Sequence, residues 1–255
     1  MKKYFFIIVL LVSGLTFLGC EKEESNPTGG GGNNNNTNPS GQPMPSFDTL
    51  ANYNGTLATI YYSTTIMGFS VDQAMAFASF GTNGVDAGTV SVNGNNIPAT
   101  AAGSSTYYMI PSAANPTQTL SGVNFNGSNH TWSIGGSANV SAFNASVTSV
   151  SNFNVTYPVS TTTHSKSSSL AVNWNNGNSN NKVMIVLTGT SGTGTYMSAE
   201  LSDNGSYTIP SSSLSGFSGQ VLMQVVKYRY SVAASGGKSY VLISEVVKQV
   251  TFTIN

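Results

Sequence analysis

Disulfides are excluded at once, because the 255 residues contain a single cysteine, Cys20. Any fold must hold by packing and hydrogen bonds alone. Charge is almost as scarce. Asp, Glu, Lys and Arg make up 7% of the chain, and nine cations balance nine acids, whereas ordinary soluble domains carry about 25% charged residues. That balance excludes nucleic acid as a partner, since neutralising a phosphate backbone needs clustered Lys and Arg. Histidine is limited to His130 and His164, so zinc-ligand spacing is absent, as is an Asp-rich calcium loop. No cofactor or metal is expected. A long membrane span is missing too, because the apolar run at residues 4–18 falls short of the roughly 20 residues a transmembrane helix needs.

What the chain does contain is 39% hydrophobic residues, enough for packed cores, with its polarity supplied by Ser, Thr, Asn and Gly. Lys2 and Lys3 precede the apolar run and small Gly19 follows it, the layout of a cleaved secretory signal over residues 1–19. Residues 20–45 follow as a tether, with Gly and Asn homopolymer runs at 29–32 and 33–36 that cannot bury a core. A flexible chain of that length reaches about 25–30 Å on average and about 80–90 Å when stretched.

From Phe47 onward the apolar period is two. Val90 and Val92, Trp132 and Ile134, Phe143 with Ala145 and Val147, and Phe153 with Val155 and Tyr157 alternate with polar residues, and each group predicts a half-buried strand. Later come Leu170, Val172 and Trp174; Val183, Ile185 and Leu187; residues 221–230; residues 240–243; and Val250, Phe252 and Ile254. Residues 71–80, though rich in alanine, also alternate and read as a strand. Asn93-Gly94, Asn126-Gly127, Asn176-Gly177 and Asn204-Gly205 supply tight turns. The fold class is therefore all-β. Two antiparallel immunoglobulin-like β-sandwich domains, residues 46–158 and 159–255, are expected, divided at the Ser/Thr-rich stretch after Pro158. A barrel is the alternative. The first half carries only Asp48, Asp72 and Asp86, a net of −3. The second carries six cations against Glu200, Asp203 and Glu245, a net of +3. This asymmetry fits either solubility or docking.

Catalytic sets are thin. His130 and His164 are placed in a turn and a connector, as surface residues. Gly189-Thr190-Ser191-Gly192-Thr193 lacks the final glycine of a nucleophile elbow. Glu200 and Asp203 flank a turn, where Asp is expected for turn reasons. The chain reads as non-enzymatic, with an unrecognised hydrolase the least favoured class. Aromatics are the remaining functional candidates. Tyr61-Tyr62 and Tyr107-Tyr108 place one ring on each strand face, and Tyr228 and Tyr230 share a face opposite Lys227 and Arg229. Tyr62, Tyr108, Tyr228 and Tyr230 are thus candidate contacts for a protein or glycan ligand.

Leu18-Gly19-Cys20 resembles the bacterial lipobox, with Phe17 in place of the usual aliphatic residue. The resemblance implies that Cys20 is acylated and that the chain meets the membrane through an N-terminal lipid. Cys20 with Glu21, Lys22, Glu23 and Glu24 resembles the export signal of surface-exposed lipoproteins in Bacteroidota, which implies an outer-membrane anchor facing outward. The remainder looks like the tandem immunoglobulin-like lipoproteins of such genomes. Asp48-Thr49-Leu50 fits their O-glycosylation pattern or a plain strand start. Replacing Cys20 with Ser is expected to abolish fatty-acid labelling and to move the protein into the soluble fraction. Label retained by that variant would place the acyl chain elsewhere.

Overall fold

Two strands of seventeen residues organise the molecule, and neither is as short as the apolar pattern predicts. In the computed structural model the described residues are 53–255 other than 67–68, 113, 116 and 191–193. The lipobox, the export-signal residues, the tether and Asp48-Thr49-Leu50 lie outside them. The described residues fall within one compact unit, Phe47–Asn255. Their strands, in chain order, are β1 Gly55–Ile66, β2 Phe69–Phe80, β3 Val90–Val92, β4 Asn95–Asn96, β5 Ala99–Ala102, β6 Ser105–Ile110, β7 Asn129–Ile134, β8 Phe143–Thr148 and β9 Val155–Tyr157, then β10 Thr163–His164, β11 Leu170–Trp174, β12 Lys182–Gly189, β13 Thr195–Met197, β14 Leu201–Ser202, β15 Ser206–Ile209, β16 Gly219–Ser235 and β17 Lys238–Ile254.

The all-β reading holds, with sandwich-like sheets. The strand expected at residues 71–80 is present as β2. A long sheet runs in the order β13-β12-β16-β17-β1-β2-β6-β5, with β10 on β17 and β14 on β12. Two small sheets, β4-β3-β7-β8 and β15-β11-β9, accompany it. Strand alternation directs one face of the long sheet inward. Leu57, Ala78, Phe80, Tyr240 and Leu242 join Val92, Trp132, Ile134 and Val147 of the β3-β7-β8 layer. Ile185, Val225, Val246 and Phe252 join Leu170, Val172, Trp174 and Ile209 of the other layer. Both groups belong to one continuous apolar cluster.

β16 and β17 pair antiparallel along their whole length, from Gly219 opposite Ile254 to Ser235 opposite Lys238. Gly236 and Gly237 close the hairpin at φ 57° and 72°, the left-handed pair that suits a two-residue turn between twisted strands. The loop expected over residues 231–239 therefore shrinks to two glycines, and the strands expected at 240–243 and 250–254 merge. Alternation continues to the hairpin tip: Ala233 packs on the core, while Ser231 and Ser235 donate to the carbonyls of Ser146 and Ala142 at 2.8 and 3.5 Å.

The division at residue 158 does not separate the sheets. β1, from the first half, runs parallel to β17, from the second, with Gly55 opposite Tyr240 and Ser63 opposite Lys248. β12 pairs with the other end of the hairpin through β16, from Lys182 opposite Tyr228 to Gly189 opposite Val221. A sequence period of two says which residues face inward but not which strand lies alongside, so this sharing was not legible. The centre of the long sheet is also apolar on its other face. Ile60, Met75, Phe77, Met184, Val226 and Ile243 are buried there, so these strands are not the half-buried kind expected.

Because the hairpin serves both sandwiches, the two are expected to unfold together. The indole nitrogen of Trp132 has no hydrogen-bond partner among the described residues, so Trp132→Phe removes a reporter without breaking a bond seen there. In that variant, loss of Trp174 fluorescence in urea should superimpose on loss of far-ultraviolet β signal. Two separate midpoints would show independent halves.

Candidate functional site

Of the four candidate tyrosines, the structure buries two. Tyr108 and Tyr228 are 1% and 0% exposed, which removes them as open stacking surfaces. Tyr108 sits on β6 between β2 and β5, and its hydroxyl donates to Asp86 Oδ1 at 2.8 Å and accepts from the Ala87 amide at 2.8 Å. Burial first, then the Asp86 bond, push that phenol up to about 12. Its neighbour Tyr107 is buried as well, because both faces of β6 are covered, so the expected outward ring does not exist. Tyr228 donates to Glu200 Oε2 at 2.5 Å, and desolvation raises its pKa. Tyr62 is half-buried and donates to Gln249 Oε1. Tyr230 stays 44% exposed on the same face as Tyr228. The four share no single site.

Polar residues that the sequence offered only as turn or strand positions are interior fastenings. Lys227 and Asp203 are fully buried, with Nζ 3.0 Å from Oδ2. Lys227 also donates to the carbonyls of Asn175 and Asn176 at 3.1 and 2.9 Å and lies 4.5 Å from the centre of the Phe153 ring. Asp203 accepts from Trp174 Nε1 at 2.6 Å, the Asn178 amide at 3.1 Å and Asn181 Nδ2 at 3.2 Å. Burial pulls the Lys227 ammonium below the usual lysine range, and Asp203 opposes it. The cluster ties β16 to the β11–β12 and β14–β15 connections. Glu200 serves elsewhere, against Lys182 at 3.3 Å and Tyr228. Glu200 and Asp203 are thus committed to different partners rather than to a shared substrate.

His130 is likewise not a surface residue. It lies on β7 in phase with Trp132 and Ile134 and is fully buried. Nδ1 sits 2.7 Å from Thr59 Oγ1, Nε2 sits 3.0 Å from the Asn124 carbonyl, and Phe125 packs edge-on at 4.9 Å. The alternation with Trp132 was the available signal. Desolvation lowers its pKa, so the unfolded chain takes up a proton first as pH falls below about 6.5, and stability drops there. Glu245, half-buried opposite Ile60 and Tyr228, works in the other sense. Desolvation pushes its carboxyl up to about 7, so the folded state binds that proton first and gains stability below pH 7. The two groups partly cancel. Among the described residues, no group of three or more His, Asp or Glu side chains could hold a metal ion.

An open feature remains at one end of the first sandwich. The entry to β1, the β2–β3 turn, the β7–β8 connection and the hairpin tip converge on a pocket of about 320 Å³ lined by Asn54, Thr82, Asn83, Asn139, Lys238 and Tyr240. Val85 and Val140 complete its apolar wall. The hairpin tip meets the β7–β8 connection closely: a Cβ on Gly236 would lie 2.3 Å from Ser141 Oγ. Lys238 Nζ donates to the Asn139 carbonyl at 2.7 Å, and the Asn54 and Ser239 backbones bond at 2.7 Å. The loop cluster is therefore held by a strand from the opposite half of the sequence. None of its residues was singled out from sequence, since four separate loops contribute them.

No protein-family model and no curated protein matches the chain. Among solved structures, the fibronectin(III)-like modules of Clostridium thermocellum CbhA align at 9% identity over 78% of this chain and 90% of that one, with a TM-score of 0.26. A tetra-tandem repeat from the extending region of a large adhesion protein aligns at 14% identity over 79% of this chain and 49% of that one, with a TM-score of 0.25.

Lys227→Met is expected to lower the unfolding free energy by about 3–5 kcal/mol, since it strands the buried Asp203 carboxylate. Urea denaturation measures this directly. A loss under about 1 kcal/mol would show that water replaces the ammonium.

Proposed function

We propose that this chain is a non-enzymatic lipoprotein, anchored through Cys20 in the outer membrane and displayed at the cell surface, where its β framework acts as a binding or scaffolding module. One observation carries the reading. The groups best suited to acid, base or nucleophilic work are consumed by the fold: His130 by Thr59 and Asn124, Asp203 by four donors, and Glu200 by Lys182 and Tyr228. Groups committed in this way are not free to meet a substrate. A stiff sheet carrying loops at its ends is instead a platform for contact. The pocket among those loops favours a second reading, a carbohydrate-binding accessory of a glycan-uptake system.

Display rests on the residues after Cys20. Changing Lys22, Glu23 and Glu24 to Ala is expected to leave acylation intact and to abolish surface exposure, because the acyl transferase reads Cys20 and the residues before it. Protease added to whole cells should cleave the wild type within residues 25–45, whose composition is that of a tether, and should spare the variant. Wild-type protein that resists protease until the outer membrane is broken would overturn surface display. So would a variant cut as readily as wild type.

A further inference from the structure

We propose that the loop-end pocket of the first sandwich binds an acidic sugar unit of a glycan. The inference rests on the reading of the chain as a binding module and gives that module a ligand. At about 320 Å³ the pocket lies at the small end of ligand sites, roughly 300–1,000 Å³, which suits one ring of a longer chain. Its lining has two parts. Asn54, Thr82, Asn83 and Asn139 offer neutral amides and a hydroxyl, the groups that hydrogen-bond sugar hydroxyls. Among the described residues, Lys238 is the only charged side chain lining it, and no carboxylate does.

Several of these groups retain bonding capacity. Thr82 and Asn83 are exposed and make no hydrogen bond to a described residue. Asn54 spends its Oδ1 on the Ser239 amide at 3.1 Å, which fixes the side chain and leaves Nδ2 to donate. Lys238 gives one proton to the Asn139 carbonyl and has two more. Tyr240, on the wall, is fully buried, and its hydroxyl has no hydrogen-bond partner. Its ring is held between Phe143, stacked at 4.6 Å, and Phe80, edge-on at 6.0 Å. That hydroxyl is closed off from solvent, so Tyr240 gives the pocket a fixed aromatic wall rather than a hydrogen bond.

Electrostatics select the acidic unit. Residues 46–158 contain no Lys or Arg, so a first-sandwich pocket would be uncharged or anionic if built from its own half. The hairpin carries Lys238 there from the far half of the sequence. The nearest acidic loop residue, Asp86, is already held by the Gly88 amide and the Tyr108 hydroxyl, and it does not line the pocket. Among the described residues that line the pocket, a carboxylate on the ligand therefore meets a cation with no competing anion.

The test uses residues 46–255 on an array of acidic and neutral glycans, including oligogalacturonate and its methyl ester, which differ only in charge. Acidic glycans should bind and their neutral forms should bind at least about tenfold more weakly, the scale of a charged hydrogen bond. Lys238→Gln should reduce binding to the acidic glycans by about tenfold, and Asn83→Ala, an exposed change that spares the Lys238 contact, should reduce it several-fold. Lys166→Gln, on the exposed surface of the second sandwich, should change nothing. Binding unaffected by both pocket variants, equal binding of acid and ester, or no glycan binding at all would each overturn the proposal. In that last case, cross-linking to a protein partner on intact cells would leave the binding-module reading standing.

Discussion

The ladder between β16 and β17 is the constraint on which the remaining structure depends. One end of it supplies Tyr240 and Leu242 to the first core and runs beside β1. The other supplies Val225, Val246 and Phe252 to the second and runs beside β12. Two sandwiches built on a shared pair of strands cannot move as beads on a string, because rotating one against the other would shear backbone hydrogen bonds rather than bend a linker. The usual expectation of mobile tandem domains does not apply to this unit. Stiffness here comes from continuity of the backbone, in a chain that has no disulfide to provide it.

Scarcity of charge gives each interior ion unusual weight. A buried pair such as Lys227 and Asp203 gains little net stability over apolar residues of the same size, because desolvation offsets most of the attraction. Its geometry, however, admits one arrangement. The ammonium must find two successive carbonyls and a carboxylate that is itself fixed by an indole, a backbone amide and a side-chain amide. A slip of β16 by one residue would turn Lys227 to the opposite face and leave all of those groups unpaired. Along strands of repeating Val and Ser, where hydrophobic pattern alone tolerates sliding, the pair specifies register.

Much of the fold was legible because period two is a local property. β2, β7, β8, β11 and β12 appear where alternation placed them, and Asn93 and Asn176 adopt the positive φ that their Asn-Gly turns demand. Pairing was not legible, since the partner of β1 lies some 185 residues away and nothing in either strand names the other. A polar residue in phase with apolar ones belongs to the inner face: His130 alternates with Trp132, and its residue type pointed to the surface where its position pointed to the core. Tyr108, from an adjacent pair, and Tyr228, from a face shared with Tyr230, failed for a related reason: either pattern implies an open ring only when the sheet has an open face, and here the centre is covered on both. The loop-end pocket draws on four segments, so no motif could have announced it.

The parallel pairing of β1 with β17 also has a temporal meaning. A chain made from its N-terminus presents β1 early, but the neighbour that β1 needs on one side is the strand that arrives after all the others described. Local hairpins such as β1–β2 and β7–β8 form at once, whereas the long sheet closes only when residues 238–254 are free. Such non-local closure is intrinsically slow. Until then one side of β1 has no neighbour, and the β16–β17 hairpin is the latch that joins the two groups of local strands into one rigid body.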